Sequence, residues 1–306
     1  MPKVTPIKEM KLDPRSIVIA ATTKYPNWYK GESLDLSNTD KVRGDLAIQS
    51  IDAAIKHGYA VVINDGESSS EFKEELAKRG IIVLERSGKS RAAARRQLIE
   101  YSSQIPQAKV IVRTEPEKVS LVDDCTPQLV EPILRGEADI IVPKRQRDLF
   151  SSSYPDYMYE SEMDANKKYN DILHEFELLP QEEELDIFFG PTVCKNDPEI
   201  IKLFLERYEL RLKTPYASGV GKYVSPDDFS NSQMFAIVKA LRLGLKVKVV
   251  KVPFIYPKIQ KENEEIDRDS FVEKRKKQKW GILDELVLYI RYLDNPDNPK
   301  SVLKRF

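Results

Sequence analysis

Four stretches of the chain bring charged or small polar residues to the ends of apolar runs, where they could handle a phosphorylated ligand. In Val61-Val62-Ile63-Asn64-Asp65-Gly66, an apolar run ends in Asp-Gly. An aspartate there can accept hydrogen bonds from a ribose or a base, and glycine permits a tight turn. The same pair also makes an ordinary turn with no ligand at all. In Arg86-Ser87-Gly88-Lys89-Ser90-Arg91, a run passes through glycine into an Ala- and Arg-rich segment ending at Arg95. Backbone amides and cations, Lys89 and Arg91 among them, are then set where a diphosphate could sit. The spacing is not that of a P-loop, and a basic solvated helix face is the competing reading.

In Arg113-Thr114-Glu115-Pro116-Glu117-Lys118, two carboxylates stand two residues apart. Alternate side chains of extended backbone point the same way, so Glu115 and Glu117 could face one Mg²⁺ or Mn²⁺ held with a diphosphate. Lys118 could neutralise phosphate directly; a charged surface loop is the plain alternative. Asp227 and Asp228, in Ser225-Pro226-Asp227-Asp228-Phe229, precede a predicted helix. One of them caps it, or deprotonates an acceptor hydroxyl.

These stretches need a frame. Apolar runs of strand length at residues 16–22, 59–64, 80–85, 109–113 and 138–142 alternate with helical periodicity at 41–56, 70–79, 89–103 and 126–135. Strands apolar on both faces and separated by helices predict a parallel sheet covered on both sides, wound doubly by right-handed crossovers. Ligands of such sheets bind beyond the carboxyl ends of the strands, where the first three stretches fall. Further on, the pattern predicts helices near 162–178, 197–211, 228–243 and 270–293, and a strand over 246–253. The tyrosines between 154 and 169 read as packing for an irregular insert, or as a sugar-stacking wall. The absence of repeats or a low-complexity linker predicts one compact unit.

The 306 residues carry 49 Lys+Arg and 49 Asp+Glu, so no overall field favours nucleic acid or an anionic membrane. The basic run Lys274-Arg275-Lys276-Lys277-Gln278-Lys279 reads as a solvated helix face, with an anionic surface or a homo-oligomer contact as the sharper reading. Two cysteines and two histidines argue against a disulfide scaffold and against a His/Cys zinc site. No run approaches the ~20 apolar residues of a bilayer span, and the first residues carry no signal-peptide core. A cytoplasmic protein is expected.

Taken in order, Ala21-Thr22-Thr23, Asn64-Asp65-Gly66, Gly88 to Arg95, the Glu115/Glu117 pair, Asp227-Asp228 and Leu243-Gly244-Leu245-Lys246-Val247 resemble the GT-A glycosyltransferases of the family 2-like branch. The resemblance spans roughly residues 16–260 and lies nearest the mannosylglycerate and glucosyl-phosphoglycerate synthase group. It implies an α/β GT-A domain over 1–260 with a helical C-terminal extension over 261–306. It also implies transfer of a hexose from a GDP- or UDP-sugar to a small or saccharide acceptor. By the same resemblance Thr22 and Asp65 meet the nucleoside, Lys89 and Arg91 the diphosphate, and Glu115 and Glu117 take the place of the Asp-x-Asp metal motif. Asp227 or Asp228 stands at the acidic acceptor-side position, and Gly190-Pro191 lines the acceptor pocket. The chain departs from the family in having Glu-Pro-Glu as the motif and no histidine in Val252-Pro253-Phe254-Ile255-Tyr256-Pro257. A catalytically silent nucleotide-binding domain is therefore the second reading, and a nucleotidyltransferase the third.

Overall fold

Side-chain alternation along the strands decides how the chain is layered. In the computed structural model, residues 12–31, 35–86, 90–210 and 234–296 are described, with backbone alone at 209–210 and 303–305. The first half follows the predicted alternation: β1 (Ile17–Thr23), α1 (Thr39–Lys56), β2 (Ala60–Asp65), α2 (Ser70–Lys78), β3 (Ile82–Glu85), α3 (Arg91–Ser103) and β4 (Val110–Arg113). Helix starts are capped as their sequences dictate. Asn38, Ser69 and Ser90 accept from backbone N–H groups of α1, α2 and α3.

After β4 come a π-turn (Leu121–Cys125), α4 (Thr126–Leu134), β5 (Ile140–Arg145), α5 (Arg147–Ser153) and α6 (Asp156–Glu175). Next are a 3-10 turn (Ile187–Phe189), β6 (Thr192–Lys195), α7 (Pro198–Leu205) and β7 (Tyr208–Leu210). The chain continues through α8 (Phe235–Arg242), β8 (Val247–Val252), α9 (Lys258–Ile266), α10 (Arg268–Asp294) and β9 (Leu303–Arg305). Seven strands form one sheet in the order β3-β2-β1-β4-β6-β5-β8; β7 and β9 pair separately.

The fold is α/β with a mostly parallel sheet, as the patterning predicts. The exception is β6, which runs antiparallel between β4 and β5. Its four residues are too short for period-2 alternation to be read from sequence. One face of the early strands (Val18, Ala20, Val62, Ile111) joins an apolar cluster with Leu98 of α3 and Leu286 of α10. The opposite face (Ile19, Ala21, Ile63, Val112) joins the other cluster, with Ile51 of α1 and Phe72 of α2. Burial of both faces in turn is what a continuous apolar strand requires. The expected boundary at residue 260 falls inside α9, and α10 shares the first cluster, so the C-terminal helix packs as part of the same core. Among the described residues, no helix is long and apolar enough to cross a membrane.

Candidate active site

The carboxyl ends of the strands and the turns that leave them enclose a cavity of about 500 Å³. Its walls come from every layer. The start of α3 supplies Arg91 and Arg95, the turn after β4 supplies Glu115, Glu117 and Lys118, and α1 supplies Arg43. The opposite wall is built by Glu162 of α6, Gly190, Tyr256, and Lys274, Arg275 and Lys277 of α10. Among the described lining residues there are thus seven Lys or Arg against three Glu. Confined like charges repel more strongly than they would in water, and a polyanion is the ligand that relieves them.

The charges feel one another. Burial, then the charge of Arg113, pulls Arg95 down to about 10, with Glu115 opposing. Burial would raise the Glu115 carboxyl, but Lys118, Arg113 and Arg95 outweigh it and hold it below the usual range. Lys118 is depressed, chiefly by burial, although Glu115 Oε2 lies 3.6 Å from its Nζ. Its ammonium also sits 4.6 Å from the Phe189 ring centroid. Lys274 is solvent-accessible at the mouth, yet desolvation by the surrounding protein, followed by Arg43 and Arg275, lowers it to about 8. It sheds charge as pH rises through that value, whereas a bound anion favours the charged form. Binding of a nucleoside diphosphate is therefore expected to weaken roughly 3- to 10-fold between pH 7 and 9. Calorimetry should show the slope flattened in Lys274→Met.

Backbone shape places the carboxylates. Gly190 has φ +99°, and a Cβ there would lie 2.5 Å from Glu115 Oε1. Only glycine allows this approach. Arg113 donates to the Gly190 carbonyl and to Thr192 Oγ1, fixing that turn. Glu117 Oε1 accepts from the Tyr25 hydroxyl at 2.9 Å. Arg43 is tied to Glu264 of α9 at 2.8 Å.

Of the residues singled out from sequence, Arg91, Glu115, Glu117 and Gly190 come together on the cavity wall. Thr22, Asp65 and Pro191 do not line it. Strand alternation puts Asp65 on the α2 face, where its carboxylate accepts from Thr23 Oγ1 and from both the Oγ and N–H of Ser68. Its neighbour Asn64 faces α3 and donates to Gln97 Oε1. Lys89, Asp227 and Asp228 lie outside the described residues. Sequence reasoning missed Arg43 and Glu162 entirely. It saw the basic run at 274–279, but periodicity could not tell that Lys274, Arg275 and Lys277 border the cavity.

For a divalent cation, the relevant observation is that Glu115 Oε2 is a buried acceptor with no hydrogen-bond partner. No group of three or more His, Cys, Asp or Glu able to hold a metal occurs among the described residues. Mg²⁺ commonly takes one or two carboxylates and completes its shell with waters and substrate phosphates, so the Glu115/Glu117 pair fits an ion shared with a diphosphate.

No protein-family model matches the chain, and no curated protein matches it. Solved structures do. Glucosyl-3-phosphoglycerate synthase of Mycobacterium tuberculosis is 13% identical, with 78% of this chain and 71% of that one covered and a TM-score of 0.44. The same enzyme in complex with Mn²⁺, UDP and phosphoglyceric acid is 14% identical over 87% of this chain and 79% of that one, with a TM-score of 0.45. A protein described as a nucleotide-diphospho-sugar transferase, from Desulfovibrio desulfuricans, is 9% identical over 90% of this chain and 97% of that one, with a TM-score of 0.41.

Proposed function

We propose that this chain transfers a hexose from a GDP- or UDP-sugar to a small or saccharide acceptor. The observation that carries the reading is the excess of cations in a cavity at the carboxyl edge of the sheet, seven Lys or Arg against three Glu. A sugar leaving a nucleoside diphosphate leaves negative charge behind, and preorganised cations stabilise that charge most as it develops. In this reading Arg91, Arg95 and Lys118 hold the diphosphate, and Lys89, two residues before Arg91 in the sequence, is assigned to it by the family resemblance. Glu115 and Glu117 would hold a Mg²⁺ or Mn²⁺, whose chemistry when bound is to neutralise the departing phosphates. By the family resemblance Thr22 and Asp65 belong to the nucleoside side, Asp65 acting through the loop that it organises and not by contact. The acceptor enters beside Gly190 and Pro191, and Asp227 or Asp228 accepts its hydroxyl proton. The absence of a Cβ at Gly190 leaves room for the Glu115 carboxylate beside that turn.

A thermal-shift series with UDP and GDP, with and without Mn²⁺, tests the reading. Ligand at about 100 times its Kd is expected to add about 2.7 kcal/mol of apparent stability. Glu117→Ala is expected to lower hydrolysis of the bound sugar nucleotide while leaving metal-free nucleotide binding in place. Undiminished hydrolysis would remove the role given to Glu117. Binding without turnover across a panel of sugar nucleotides would favour the silent nucleotide-binding domain, the reading that Glu-Pro-Glu in place of Asp-x-Asp keeps in view.

A further inference from the structure

We infer that Tyr25 is a positioning residue for Glu117, and that Asp65 and Ser68 anchor it, so that a hydrogen-bonded chain from the end of β2 sets a carboxylate in the cavity. The inference rests on the role proposed above for Glu117. Tyr25 follows β1 and is 4% exposed. It packs edge-on against Phe72 of α2, with ring centroids 5.0 Å apart. It does not itself line the cavity, but its hydroxyl donates to Glu117 Oε1 at 2.9 Å.

The other end of Tyr25 is held as firmly. Its N–H donates to Ser68 Oγ at 2.9 Å, and that hydroxyl donates onward to Asp65 Oδ1 at 2.5 Å. The Tyr25 carbonyl accepts from Ser69 N–H at 3.1 Å. Asp65 is fixed by Thr23 Oγ1, which donates to the same Oδ1 at 2.7 Å, so the loops after β1 and β2 are locked to each other. Glu117 stands in an irregular turn, where no ladder of backbone hydrogen bonds orients it. A buried phenol on a rigid ring restricts its rotamers and leaves its second oxygen for the cavity. This gives Asp65 a role in the site without contact to ligand.

The test is a double-mutant cycle of Tyr25→Phe and Glu117→Ala, read by calorimetry with UDP and GDP in the presence and absence of Mn²⁺. Tyr25→Phe keeps the ring packing and removes only the donor. Mn²⁺-supported nucleotide binding is expected to weaken roughly tenfold in Tyr25→Phe, by more in Glu117→Ala, and in the double variant no further than in Glu117→Ala, since Tyr25 acts only through that carboxylate. Metal-free binding is expected to stay within roughly twofold in Tyr25→Phe. Full Mn²⁺-supported binding in Tyr25→Phe, or effects that multiply in the double variant, would overturn the inference. Urea unfolding of the same four proteins supplies a readout that needs no ligand: coupled midpoints support the contact, and strictly additive ones overturn it. If neither nucleotide binds any of the four, the transferase reading fails while the urea cycle still decides the relay.

Discussion

Asp186→Ala is expected to destabilise the protein by about 3–5 kcal/mol, because it strands a buried guanidinium. Arg145 ends β5 with its side chain 1% exposed. Its Nε and Nη2 donate to the two oxygens of Asp186 at 2.8 and 2.6 Å, and its Nη1 donates to Glu162 at 2.6 Å. Asp186 also accepts the Arg145 backbone N–H and the Asn166 amide. Alanine removes all of these acceptors at once and leaves Glu162 alone to balance the charge. Urea denaturation should show the loss as a lower midpoint at unchanged slope.

The pH dependence has a defined sign. Burial would raise the Asp186 carboxyl, but Arg145 and the hydrogen bonds it donates outweigh burial and hold it below the ordinary value. Its stabilisation is therefore present above the unfolded carboxylate pKa of about 3.9 and is lost as pH falls through the folded value. Acid unfolding should steepen that loss in the wild type and flatten it in Asp186→Ala. The effect reaches the cavity, because Glu162 carries Arg275 of α10 on its other oxygen at 3.3 Å. A variant destabilised by less than about 1 kcal/mol would mean that the guanidinium finds other acceptors.

Arg95→Ala is expected to weaken UDP or GDP binding by roughly 10- to 100-fold, about 1.5–3 kcal/mol, the worth of a charge-assisted hydrogen bond in a partly desolvated site. The melting temperature of the ligand-free protein is not expected to fall with it. Arg95 is depressed by burial and by Arg113, with Glu115 opposing, so its charge costs the folded state stability and a bound anion favours that charge. Affinity lost while stability holds separates an anion-binding arginine from a structural one. Retained affinity in Arg95→Ala, measured by calorimetry at low salt, would move the diphosphate to the α10 wall.

The layered sheet was legible because both faces of its strands are apolar and helical periods separate them. That pattern needs no tertiary information, since burying every apolar face leaves few arrangements. Glu115, Glu117 and Arg91 could be found for the same reason: each stands where a recognisable strand ends or a helix begins, whereas Gly190 came only from the family resemblance. Asp65 shows the limit. Its position at the end of β2 was readable, but strand alternation turns it to the α2 face, where two hydroxyls claim it. One residue of phase separates it from Asn64, and sequence could not say which face met the cavity. The antiparallel β6 was hidden because four residues carry too little pattern.

Sequence alone determined the layers, the order of the chemical groups and the edge of the sheet at which they gather, because local periodicity and burial suffice for these. Only the tertiary structure decided that Arg43, Glu162 and the cations of α10 share that edge. They are brought in by packing between elements far apart in the chain, and a helix face that looks remote from the site in isolation borders the cavity once α10 docks on α6.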